Sequence, residues 1–119
     1  MRLKEFLNAD IAYTRAENEI RDWVEGHYPG LSIEFFPHLE IVRTDDRPIS
    51  VLRCRKIAEA VNIKIGEILE KHSEEIYIGE RLDRIWKKHP EFDIEVETIS
   101  DIKKNPLFLT YLKELIITR

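Results

Sequence analysis

An apolar stripe in the middle of the chain sets the first constraint on its fold. Within VLRCRKIAEAVNIKIGEILEKH (51–72), Ile57, Ala58, Val61, Ile65, Ile68 and Leu69 recur at spacings of one, three and four. That period is helical and gathers the apolar side chains on one face, so other elements must cover it. Arg55 with Glu59, and Glu67 with Lys71, stand four apart, where opposite charges meet on a helix surface. Ser50 precedes the stripe, and its hydroxyl can accept from an orphan amide of the first turn. Gly66 costs on the order of 1 kcal/mol against Ala inside a helix, which points to close packing of a neighbour or to a kink.

The start of this helix is basic. Arg53, Arg55 and Lys56 fall in its first two turns and Arg47 lies just before. A helix N-terminus already carries partial positive charge, so each cation there is unfavourable by about 0.3–1 kcal/mol. Free amides together with Arg47, Arg53, Arg55 and Lys56 make a candidate site for a phosphate or an acidic partner. The alternative is that Asp45, Asp46 and remote carboxylates neutralise the cluster. Cys54 sits among these cations, either as a small apolar packing residue or as an activated thiol.

The flanking segments divide into helical and extended patterns. Phe6, Ala9, Tyr13, Ala16, Ile20, Trp23 and His27 follow one another at steps of three and four, which predicts one long helix over 2–27 or two abutting ones. Thr14 and Glu17 have capping-box spacing for a second start. In LSIEFFPHLEIVRT (31–44), Ile33, Phe35, Leu39 and Ile41 alternate onto one face. Pro37 cannot donate to a ladder, so this strand is at an edge, bulged, or split into a hairpin. EEIYIG (74–79) and FDIEVETI (92–99) read as further strands, with a helix over 80–89 between them. Asn105 can cap, and Pro106 can open, a last helix that is apolar nearly all round. Such a helix needs cover on several sides, from the centre of one chain or from a second subunit.

Helices alternating with strands predict an α/β fold: a small two- or three-layer sandwich with about three mostly parallel strands, a long N-terminal helix and an apolar C-terminal helix. With 119 residues, the chain is expected to be a single α/β domain over 1–119. Charged residues at 35% in a chain rich in Glu, Lys and Arg suggest heat stability. The net charge of −4 argues against broad coating of nucleic acid but leaves a local basic patch open. One cysteine excludes an internal disulfide. No apolar run is long enough for a membrane span, and MRLKEFLNAD lacks the apolar core of a signal peptide, so the cytoplasm is the expected compartment.

Chemistry-bearing patterns are sparse. His38-Leu39-Glu40 is the one tight metal-ligand spacing, since alternation along a strand puts both side chains on one face. It resembles the His-hydrophobic-His motif of rolling-circle replication and relaxase endonucleases, with Glu40 in place of the second histidine. That resemblance implies a divalent metal at His38 and Glu40 and makes Tyr111 the helix-borne nucleophile; Glu114 stands where the family carries a basic residue. Arg84 and His89 resemble the Arg-x4-His motif of all-helical ribonucleases, and both His27 and His89 lie on apolar stripes that suit packing. The segment from Glu74 onward resembles the first half of thioredoxin-like folds but has no Cys-x-x-Cys. The expectation is therefore a self-associating, non-enzymatic interaction module, a homodimer without cofactor, that docks an anionic or acidic partner at the basic helix start. The alternatives are a nucleic-acid-binding protein using the same patch and a metal-dependent nuclease centred on His38 and Glu40.

Overall fold

In the computed structural model, which describes residues 1–117, the chain is mostly helical (67%). In order it forms α1 (Leu3–Phe6), α2 (Ala9–His27), β1 (Leu31–Glu34), β2 (Glu40–Arg43), α3 (Val51–Lys71), α4 (Ser73–Lys88), α5 (Ile99–Lys104) and α6 (Pro106–Ile117). Thr118 and Arg119, the end of the apolar C-terminal segment, lie outside the described residues. The expected α/β sandwich of three mostly parallel strands is overturned: β1 and β2 form one antiparallel two-stranded sheet, and no third strand stands among the described residues. The chain divides into two compact units, Thr14–His72 and the remainder.

Two segments account for the correction. EEIYIG is not a strand but the start of α4. Ile76 and Ile78 alternate over too short a window to decide, whereas Ile78, Leu82 and Ile85 continue at helical spacing and are buried in α4 together with Gly79. Gly79 does not end a strand; it lets α4 approach the backbone at Asn8 and Ala9, where an added Cβ would stand 2.8 Å from the Asn8 carbonyl. FDIEVETI is extended, but it pairs only through an isolated antiparallel bridge between Arg2 and Glu95. Leu3 N–H donates to the Ile94 carbonyl at 2.9 Å and Val96 N–H to the Met1 carbonyl at 2.9 Å. Phe92 and Val96 point inward and the alternating acids outward, so the segment straps one core rather than joining a sheet.

The first unit comprises Met1–Tyr13 and the chain from Ser73 onward. Its core gathers Leu3, Leu7, Leu82, Ile85, Phe92, Val96, Ile102 and Phe108. Of the two expected N-terminal arrangements, the chain forms two abutting helices, α1 and α2, and the Asn8 side chain caps the restart by accepting from Ile11 N–H at 2.8 Å. The Thr14–Glu17 spacing starts nothing, because α2 runs through it. Thr98 and Asp101 form a reciprocal capping box at α5. Asn105 Oδ1 accepts from the amides of Leu107 and Phe108 at α6.

The second unit packs Ala16, Ile20 and Val24 of α2 against Leu31 and Ile33 of β1 and Ile57, Val61 and Ile68 of α3. Pro37 falls in the connection between the strands, where its missing amide breaks no ladder bond. Gly30 opens the hairpin with φ +89 and lies against the Asp45 side chain, so a Cβ there would meet both strain and a clash. Glu19 joins α2 to the end of α3 through Lys71 Nζ at 2.6 Å and His72 Nε2 at 3.3 Å. Gly66 faces open space, so the expected close packing of a neighbour is not met.

Candidate functional site

The ladder decides what the hairpin presents. Leu31 pairs with Arg43 and Ile33 with Ile41, so all four side chains share one face, with Leu39 in phase beyond them. A two-stranded sheet has one apolar face to cover, and in this unit α2 supplies Ile20 and Val24 while α3 supplies Ile57 and Val61. α3 does not close fully onto the hairpin. Between them lies a groove of about 650 Å³, walled by Leu31, Ile33, Leu39, Ile41 and Arg43 on one side and by α3 from Cys54 to Ile65 on the other. That volume is within the range of ligand-binding clefts, roughly 300–1,000 Å³.

The lining is apolar apart from a few polar side chains. Arg43 and Arg55 are its cations, Glu59 is its one acid, and Asn62 adds an amide. Arg43 is the last residue of β2 and Arg55 lies near the start of α3, so both belong to the groove end next to the 44–50 connection. That connection is tied down: Arg43 Nη1 donates to the Arg47 carbonyl at 2.7 Å, and Arg47 N–H donates to Asp45 Oδ1 at 3.1 Å. Ser50 Oγ then accepts from Arg53 N–H at 3.2 Å and starts α3. Leu39 remains 56% exposed at the opposite end.

The four cations singled out in the sequence are divided between two adjoining cavities and the surface. Arg55 lines the groove, together with Arg43. Arg47 and Arg53 line an adjoining cavity of about 140 Å³ under the connection, with Asp45, and Leu31, Ile49 and Ile57 border both. Lys56 is exposed and lines neither. Arg43 is not among those four, although it is the next in-phase position after Leu39 and Ile41 and so carries a readable signal. Cys54 is exposed on the groove wall rather than packed.

His38 and Glu40 are both exposed, and only Glu40 belongs to a strand, where it pairs opposite Glu34. The strand alternation assumed for the pair therefore does not hold. Among the described residues no group of three or more His, Cys, Asp or Glu side chains is placed to hold a metal. Tyr111 belongs to the other unit, half-buried, with its ring stacked on His89 at 4.2 Å and edge-on to Phe92. His89 Nε2 lies 3.1 Å from Glu114 Oε2, while Arg84 is exposed on α4. His27 is exposed, stacks on Trp23 and donates from Nδ1 to the Trp23 carbonyl at 3.0 Å.

No protein-family model, curated protein or solved structure matches this chain. No helix among the described residues is long and apolar enough to cross a membrane.

Proposed function

We propose that this chain is a non-enzymatic binding module whose hairpin–α3 groove docks an apolar partner bearing an anionic group. The observation that carries the reading is the pairing of an apolar lining with Arg43 and Arg55 at one end. Apolar area removed from water contributes roughly 25 cal/mol per Å², without direction. The guanidinium groups supply direction and favour a carboxylate or phosphate, which they can bind through two parallel hydrogen bonds. A reducing compartment such as the cytoplasm suits a chain whose one thiol, Cys54, is exposed.

Cys54 also provides the test, because it is the sole cysteine and it lines the groove. The protein labelled there with acrylodan is titrated with dodecanoate below its micellar concentration, and with dodecyltrimethylammonium as the charge control. The expected result is a saturable blue shift with dodecanoate that weakens about tenfold in Arg55→Glu. Equal responses to the two amphiphiles, or no response to either, would overturn the reading. Short DNA and RNA would meet the same cations. Salt-sensitive anisotropy that is lost in Arg53→Glu/Arg55→Glu would move the assignment to nucleic acid.

Self-association is the second part of the proposal. α6 presents Leu109, Leu112 and Ile116 along one stripe, with Leu109 47% and Ile116 67% exposed. A two-fold pairing of this stripe would cover it. Light scattering is expected to report a dimer that Leu109→Glu/Ile116→Glu converts to monomer; a wild-type monomer at high concentration would refute it.

A further inference from the structure

Resting on the groove as binding site, we infer that its occupant is an amphipathic helical segment of a partner protein with an acidic residue at one end. Backbone hydrogen bonds decide the form of the occupant. The hairpin meets the groove with its side-chain face, whereas the unpaired edges of β1 and β2 point within the plane of the sheet. A segment lying in the groove therefore gains no ladder bonds. The lining offers only Arg43, Arg55, Glu59 and Asn62 as polar partners, so the occupant must satisfy its own amides, as a helix does.

The length of the groove sets the number of turns. The α3 wall runs from Cys54 to Ile65, which at 1.5 Å per residue is about 16 Å, or about three helical turns. Anchors at i, i+4 and i+7 on a bound helix fit within that length.

Charge complementarity sets the direction. Arg43 and Arg55 hold the end beside the 44–50 connection, so the occupant's carboxylate belongs there. Glu59 lies one turn further along α3, where a second acid would be repelled and a Lys or Gln accepted. The recognised pattern is an acidic residue near the first anchor, apolar residues at helical spacing, and no acid one turn in.

The test is a display selection from a random 14-residue peptide library against the whole protein. It is counter-selected with Ala58→Phe, which fills the groove from an exposed wall position. Enriched peptides are expected to show apolar residues at i, i+4 and i+7 with Asp or Glu at one end. They should gain helical circular dichroism on binding and weaken at least tenfold in Arg43→Glu/Arg55→Glu. Enrichment of alternating or acid-free sequences, or of none that Ala58→Phe blocks, would overturn the helical partner. If dodecanoate still shifts labelled Cys54 in that case, the groove takes a small amphiphile instead. If neither probe responds to the groove variants, the binding site itself falls.

Discussion

The two units close their cores by different means. In the unit made of Met1–Tyr13 and the chain from Ser73 onward, α1, the start of α2, α5, α6 and a strap at 92–98 share one core with Leu82 and Ile85, which are fully buried. In Thr14–His72, two long helices share the one apolar face of a short hairpin and leave part of it in solvent. A closed core consumes its apolar surface in stability, and the leucine and isoleucine side chains this unit leaves exposed lie outside that core, on α6. An open one keeps some for a partner, and here the open surface is also where cations stand beside apolar side chains.

The largest expected effect that tests this contrast is on stability. Leu82→Ala, at a site with 0% exposure, should cost about 2–5 kcal/mol in urea unfolding. Leu39→Ala on the groove lip should stay within about 0.5 kcal/mol. Similar losses for the two would mean that the groove is packed in solution.

The glycines should separate by sign. Gly79→Ala forces a Cβ onto the Asn8 backbone and is expected to cost about 1–3 kcal/mol. Gly66→Ala meets nothing within 4 Å and should raise stability by up to about 1 kcal/mol. Thermal melts of the two variants check this, and a destabilised Gly66→Ala would reveal a close neighbour. Next in size are the caps: Ser50→Ala at α3 and Asn105→Ala at α6 should each cost about 1 kcal/mol.

The smallest effects are electrostatic. Hydrogen bonding from Lys71, with help from His72, holds the Glu19 carboxyl below its ordinary range. The Glu97 and Thr98 amides do the same for Asp101. A lowered folded pKa means that the contribution is present above the unfolded carboxylate value and is lost as pH falls through the folded one. The urea midpoint should therefore drop on acidification, less steeply in Glu19→Gln and in Asp101→Asn. Tyr13 is shifted upward by its hydrogen bond to Glu80, so its share is present below the ordinary tyrosine range and lost as pH rises through the raised value.

What could be read from the residues follows the reach of each signal. The stripe from Ile57 to Ile68 and the caps at Ser50 and Asn105 are local and repeated, and they correspond to α3 and α6. The same local alternation misled at Glu74–Gly79, because two isoleucines fit a strand as well as a helix until Leu82 and Ile85 are included. At Phe92–Thr98 the inward and outward faces were readable, but a strand also needs a neighbour. The partner at Arg2 is too remote in sequence to foresee. Arg43 was legible by strand phase. The groove was not, since it depends on how far α3 stands from the hairpin, and no spacing in the chain encodes that distance.

Amide chemical-shift mapping of the whole protein with dodecanoate locates the binding surface residue by residue. Saturable shifts are expected at Ile33, Ile41, Arg43, Arg55 and Asn62, with α6 unmoved and the pattern lost in Ala58→Phe. Shifts centred on α6, or spread evenly over both units, would contradict the groove as binding site.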